Sequence, residues 1–202
     1  MDKDTTVIIG GGLQGLATAY CLLEKGEKVL ILERNEEVAR EASFANAGMI
    51  TPSHATPWNS FSDIVQIFSG IGRKDSPMRI NLRYIPSMFF WGLRFLRNSS
   101  KSRFLRNSQN SYQLAKYSKK ITKETRLKNG LQYDDAQNGT MKIFRDKSSL
   151  DKSIEITKKY SDRTIDMKIL DQKGVVEVEP ALADISDQLA GGILYPDDEI
   201  GD

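Results

Sequence analysis

Gly10, Gly12 and Gly15 stand in the order G-x-G-x-x-G, and an acid, Glu33, follows 18 residues after the last of them. This pattern can hold a diphosphate. Gly10 permits a tight strand-to-helix turn, Gly12 lets the main chain approach the pyrophosphate, and Gly15 lets the following helix pack closely on the strand. The helix then aims its N-terminal amides and the positive end of its dipole at the phosphates. A carboxylate at position 33 accepts hydrogen bonds from adenosine ribose hydroxyls and repels a 2′-phosphate, which argues against NADP. FAD and NAD share this fingerprint, so the spacing alone does not choose between them.

The flanking elements are those the motif needs. Thr6 to Gly10, with Val7, Ile8 and Ile9, is a β-branched run predicted to be a buried parallel strand. Leu13 to Lys25 has helical spacing, with Leu16, Ala19, Tyr20 and Leu23 available for one face and Gly26 placed to end it. Lys28 to Glu33 is a second buried strand. Strand, turn, helix and strand make a compact βαβ unit, expected to be right-handed. Cys21, inside that helix, is expected to act as a small buried hydrophobe. After Arg34 the chain enters a segment of small residues that includes Ser43, Ala47, Gly48 and Met49. Such a segment either lays its amides against a pyrophosphate or flavin ring or makes a close-packed helix-to-loop transition, and the local pattern leaves both open. Residues 51–59 are expected to form a loop, with His54 as an ordinary loop residue.

The remainder alternates helices and strands. A short helix is expected at Phe61 to Phe68, an apolar and basic stretch from Met78 to Leu96, and a long helix from Lys101 to Lys128 capped by Gly130, with Leu105, Leu114, Tyr117 and Ile121 inward. Leu131 to Tyr133 and Thr140 to Phe144 are expected to pair antiparallel about Asn138-Gly139. A helix at Ser149 to Tyr160, a strand at Ile165 to Leu170, a short helix at Gln172 to Val178 stopped by Pro180, and a strand at Leu189 to Tyr195 complete the pattern. The expected fold class is α/β, a Rossmann-like dinucleotide-binding βαβ unit plus part of a mixed α+β domain. The expected domains are 1–60 for the first part of cofactor binding, 61–195 for substrate, and 196–202 for the start of a return to the first domain. A doubly wound sheet needs more than two parallel strands, so the sequence is expected to be the N-terminal part of a longer protein.

Composition narrows the function classes. The chain has 202 residues, a net charge of +2, 39% hydrophobic and 28% charged residues, the profile of a soluble globular protein. Mean hydropathy is -0.44. No nucleic-acid partner is expected from so small a net charge. One cysteine excludes an internal disulfide and a cysteine metal cluster, and one histidine excludes a histidine metal cage, so no metal is expected. No secretory leader and no apolar run of membrane-spanning length is visible, and the expected location is cytoplasmic. From Arg73 to Arg106 there are nine Lys/Arg and one acid, Asp75. This basic, aromatic stretch suits either a peripheral contact with the inner face of an anionic membrane or an aromatic helix packed on the substrate domain with solvated cations; the second is the expectation.

Several segments together resemble a known family. Val7 to Gly15 and Ile31 to Arg34 are similar to flavoproteins of the D-amino acid oxidase superfamily. Ser43 to Gly48, Thr51-Pro52, Ala55 to Trp58, Gly139 to Phe144, Val176 to Leu182 and Gly191 to Asp202 resemble bacterial D-amino acid dehydrogenases of the small-subunit type, in the same order and with similar spacing. The resemblance implies that these are a Rossmann-like FAD-binding βαβ unit and part of a mixed α+β substrate domain. It implies a non-covalent FAD and oxidative deamination of D-amino acids such as D-alanine, with electrons passing to a respiratory acceptor such as quinone. It implies cofactor contact by Val7, Ile8, Ile9, Gly10, Gly11, Gly12, Leu13, Gln14, Gly15, Glu33, Arg34, Ser43, Ala47, Gly48 and Met49. It names no catalytic residue, because members continue well beyond residue 202. A glycine or sarcosine oxidase type, and a cofactor-binding fragment without turnover, stand as alternatives.

Overall fold

The computed structural model describes residues 4–60, 64–65 and 82–201. The helix expected over Phe61 to Phe68 lies outside them except for 64–65, which are helical. Two compact units divide at Gly48, the second running from Met49 to Gly201.

In the first unit the β-branched run becomes β1 (Thr5–Ile9), parallel to β2 (Lys28–Leu32), with Val7 opposite Leu30 and Ile9 opposite Leu32. Helix α1 (Leu13–Leu23) joins them and buries Ala19. Gly26, at φ +79°, takes the left-handed conformation that turns the chain out of the helix and into β2. Three expectations are corrected here. The strands are not buried: Ile9 is 89% and Leu32 50% exposed. Leu23 is 58% exposed, so the inward stripe of α1 stops short of it. Cys21 is exposed rather than buried. All three follow from one cause: parallel strands are buried only when helices cover both faces, and one helix covers one face of a two-stranded sheet here.

The second unit is built on an antiparallel sheet ordered β5 (Thr140–Phe144), β7 (Gly191–Tyr195), β6 (Lys168–Leu170). The central strand is buried at Gly191, Gly192, Ile193 and Tyr195. Helices α4 (Lys147–Tyr160) and α5 (Gln172–Val178) lie against it. Leu150, Ile193 and Tyr195 form the core, with Phe144, Ile154, Ile165 and Met167 packed around them. A Cβ at Gly192 would stand 2.9 Å from Val175 Cγ2, so glycine there lets α5 approach the sheet. Asp146 caps α4 by accepting the Ser149 amide at 2.9 Å, and hydrogen bonds from Ser148 and Ser149 hold its carboxyl down at about 2.

A smaller sheet places β8 (Glu199–Gly201) between β3 (Met49–Ile50) and β4 (Asp135–Ala136), antiparallel to both. This corrects the expected hairpin. Residues 131–133 are not a strand, and the segments on either side of Asn138-Gly139 pair with different strands, β4 with β8 and β5 with β7. Gly139 at φ +80° passes under the Tyr195 carbonyl, which a Cβ would approach to 2.6 Å. The expected strand from Ile165 is shorter, beginning at Lys168.

The basic region gives α2 (Ile85–Asn98) and α3 (Lys101–Asn129). Gly130, at φ +59°, caps α3. The inward stripe of α3 differs from the expected one. Leu114 and Tyr117 are 69% and 63% exposed, while Ser108, Tyr112 and Arg126 are buried. Tyr112 packs edge-on against Tyr160 with centroids 5.6 Å apart. Arg126 is neutralised by Asp135 at 2.8 Å and Glu199 at 3.7 Å, which tie the end of α3 to β4 and β8.

Candidate functional site

The glycine turn and the acid after β2 meet in the first unit. Gly10 takes φ +99°, and its amide stays in the sheet by donating to the Leu32 carbonyl at 2.8 Å. Gly15 lies so close beneath Gly10 that a Cβ would stand 2.0 Å from the Gly10 carbonyl oxygen. Gly12 is the N-cap of α1 in extended backbone, and its carbonyl accepts the Leu16 amide at 3.0 Å. The amides of Leu13, Gln14 and Gly15 precede that bond, in the turn where a helix provides no acceptor. Ser43 Oγ accepts from Leu13 at 3.0 Å.

Glu33 closes the arrangement. Its carboxylate accepts the Gly11 amide at 2.6 Å and the Arg34 and Asn35 amides at 2.8 Å each. These bonds hold the acid below the ordinary carboxylate range, the Asn35 amide contributing most and Gly11 next, with partial desolvation opposing. The structure therefore brings together Gly11, Leu13, Glu33 and Ser43. The other expected residues are placed as follows. Val7, Ile8 and Ile9 lie in β1, and Gln14 lies in the first turn of α1. Arg34 turns instead to an ion pair with Glu41. The Gly48 amide donates to Asn46 Oδ1 at 2.6 Å, Ala47 is exposed, and Met49 opens β3.

Glu33→Ala frees all three amides and is expected to lower affinity for ADP by about tenfold or more, read by titration calorimetry. The pH dependence has a definite sign. Because the folded carboxyl is depressed, its contribution is complete above the ordinary value of 4.5 and is lost as pH falls through the lower folded value. Stability of the turn held constant down to pH 4.5 and falling below it is the expected profile in acid titration, with ADP affinity falling only once pH drops through the folded value.

The second unit contains a polar cluster that sequence reading did not find. Asp198, 2% exposed, accepts from Ser53 Oγ at 2.5 Å and from Thr140 Oγ1 at 2.6 Å. The Ser53 carbonyl accepts from Lys142 Nζ at 2.9 Å and from Tyr160 Oη at 3.0 Å. Lys142 also lies over the Tyr195 ring, 5.1 Å from its centroid. Burial pushes the Lys142 amine down, and the Asp198 charge opposes that. Burial pushes the Tyr160 phenol up. The segment expected as loop is thereby fixed as a 3-10 turn at Pro52–His54, with Pro52 and Ser53 buried and His54 exposed at its end. The only sequence signal was that Thr51-Pro52 and the Pro-Asp-Asp-Glu run both carried the family resemblance.

Comparison with known proteins agrees with this picture. A family model described as FAD dependent oxidoreductase matches residues 5–202. D-amino acid dehydrogenase 1 of Mesorhizobium japonicum is 36% identical over 199 residues, covering 97% of this chain and 47% of that protein. D-amino acid dehydrogenase of Bradyrhizobium diazoefficiens is 34% identical, again over 97% of this chain and 47% of the relative. The chain thus spans about half the length of the curated relatives it matches. Among solved structures, glycine oxidase from Geobacillus kaustophilus superposes with a TM-score of 0.56 at 19% identity, over 98% of this chain and 40% of that one.

Proposed function

Since the chain belongs to the FAD dependent oxidoreductase family, we propose that it holds the ADP half of FAD in the N-terminal part of an enzyme that oxidises D-amino acids. The reaction converts a D-amino acid, such as D-alanine, and water to a 2-oxo acid and ammonia, and delivers two electrons and two protons to a respiratory acceptor such as quinone. Peripheral contact with the inner face of the cell membrane goes with that acceptor. Residues 1–60 belong to the cofactor domain, 61–195 to the substrate domain, and 196–202 begin the return to the first.

The residues present fit the cofactor. Gly12 sits at the mouth of α1, where the absence of a Cβ leaves the main chain open to a diphosphate and leaves room for Ser43 Oγ, which a Cβ would approach to 3.2 Å. Glu33 lies at the Gly11 amide, where it can take ribose hydroxyls. When bound, FAD supplies the two-electron acceptor for the substrate Cα–H. The chain's own part is binding: Gln14 and Gly15 present first-turn amides to the pyrophosphate, Ser43 orders the Leu13 amide, and Glu33 keeps the turn in shape at neutral pH.

One observation carries the reading: a parallel strand pair brings a carboxylate 2.6 Å from the amide of Gly11, between the first two glycines of a G-x-G-x-x-G turn, in a chain about one-third identical to D-amino acid dehydrogenases. The test uses the full polypeptide that carries these residues, loaded with FAD. Anaerobic dye reduction with D-alanine and none with L-alanine is the expected result. Oxygen-dependent peroxide formation with glycine or sarcosine in place of dye reduction overturns it in favour of an oxidase. Bound flavin that no amino acid bleaches overturns it in favour of a fragment without turnover.

A further inference from the structure

Helix α2 leaves its apolar side open. None of its 14 residues is buried. Ile85, Met88, Phe89, Leu93 and Leu96 recur at i, i+3, i+4, i+8 and i+11 and so share one face, and they are 47%, 47%, 56%, 50% and 46% exposed. Among the described residues, the ring contacts that the helix makes with Trp58 lie on its flank. Phe95 packs at 5.0 Å from Trp58 and 5.1 Å from Trp91, and the two indoles stack at 6.4 Å. The aromatic packing expected of this helix is present at Trp91, Phe95 and Trp58, while the face from Ile85 to Leu96 stays exposed. Exposed aromatic and aliphatic groups in one stripe mark a surface that meets an apolar partner.

Charge identifies the partner. Between residues 82 and 123 the sequence has ten Lys/Arg and no Asp or Glu. Arg94 and Arg97 lie on the other side of α2 from the apolar stripe and are exposed, as are Lys101 and Arg106 at the start of α3. A nucleic acid would reward the cations but leave the apolar stripe in water. An acidic protein groove would have to pair cations spread around both helices. A bilayer with anionic headgroups satisfies both at once, taking the Phe and Leu side chains below the headgroup level and the cations within it.

We propose that α2, with the first turns of α3, seats the protein on an anionic lipid surface, its Ile85–Met88–Phe89–Leu93–Leu96 face inserted in the interface. This rests on the peripheral placement in the functional reading and names the element and lipid chemistry responsible. The test is flotation of the full polypeptide with phosphatidylcholine vesicles, with and without phosphatidylglycerol, using brominated acyl chains to quench the emission of a Phe89→Trp reporter on the inserted face. Flotation only with the anionic lipid, weakened by salt and with the reporter at position 89 quenched, is expected. Arg94→Glu with Arg97→Glu should weaken binding by about twenty-fivefold or more, each cation at a surface being worth about a factor of five. Phe89→Ser with Leu93→Ser should abolish flotation while leaving the circular dichroism spectrum unchanged, since both side chains are exposed. Unaltered flotation of that apolar-face variant overturns the proposal, as does self-association that the variant dissolves, because α2 would then be covered by a second copy. Flotation and D-alanine-dependent dye reduction are separate readouts: failure of the first with the second intact removes the lipid assignment alone, and the converse removes the substrate assignment alone.

Discussion

Gly15→Val is expected to eliminate flavin retention in the full polypeptide, and Gly15→Ala to come close to doing so. The cause is a main-chain collision. Any Cβ at position 15 stands 2.0 Å from the Gly10 carbonyl oxygen, and neither backbone can yield without lifting α1 off β1. Overpacking that moves backbone sits at the costly end of its range, about 3 kcal/mol or more, which is upward of a hundredfold in any equilibrium the turn controls. The neighbouring glycines predict a graded series. At Gly11 the Cβ would meet Val38 Cγ1 at 2.8 Å and Glu33 Oε2 at 3.2 Å, side-chain atoms that yield at lower cost than main chain. At Gly10 no atom lies within 4 Å, and the penalty is only that of φ +99° in a residue with a side chain, roughly 1–2 kcal/mol. The flavin-to-protein absorbance ratio after purification, and ADP titration of each variant, should therefore rank Gly15 as most damaging. A Gly15→Val protein that keeps its flavin would show that helix and strand do not need this contact.

How much of this was visible in the sequence follows the range of the interactions. The βαβ unit was legible because each part is local: Val7-Ile8-Ile9 favours a strand, Gly26 ends the helix, and 33 residues hold the whole pattern including Glu33. Gly130 was legible for the same reason, since a helix end is written within one turn. The stripe of α3 was not. Helical periodicity pointed to Leu114 and Tyr117, yet the helix turns Tyr112 and Arg126 inward, because its neighbours offer a tyrosine ring and two carboxylates rather than aliphatic surface. Those partners, Tyr160, Asp135 and Glu199, lie in other elements. The hairpin failed likewise: a turn signal says where the chain bends, not which strand it meets next, and β7 and β8 captured the two segments. The Ser53–Asp198 bond, between residues 145 apart in sequence, has no local trace. The exposure of β1, β2 and Cys21 came from a missing cover, which strand composition does not report.

That long-range bond carries the second large effect. Asp198→Ala is expected to destabilise the full polypeptide by about 3–5 kcal/mol, the cost typical of removing one partner from a buried charged network. Two hydroxyls, Ser53 Oγ and Thr140 Oγ1, lose their acceptor, and Lys142, whose amine burial already pushes down, loses the charge that offsets its desolvation. The damage should appear first at Pro52–His54, because Ser53 is held from one side by Asp198 and from the other by Lys142 and Tyr160. Asp198→Asn keeps an acceptor without the charge and should fall between parent and alanine. The pH dependence separates charge from hydrogen bonding. A lysine depressed in the folded state adds stability above its ordinary value of 10.5 that disappears as pH falls through the folded value. Removing the Asp198 charge lowers that folded value further, so the asparagine variant should lose more stability at neutral pH and begin to regain it at a lower pH than the parent. Lys142→Met in the Asp198→Ala background should recover part of the loss, since the unpaired cation is then gone, and a double-mutant cycle on urea midpoints reads the coupling directly. An alanine variant within about 1 kcal/mol of the parent, with no coupling to position 142, would mean that water replaces the carboxylate and that Lys142 and Tyr160 suffice to hold the turn.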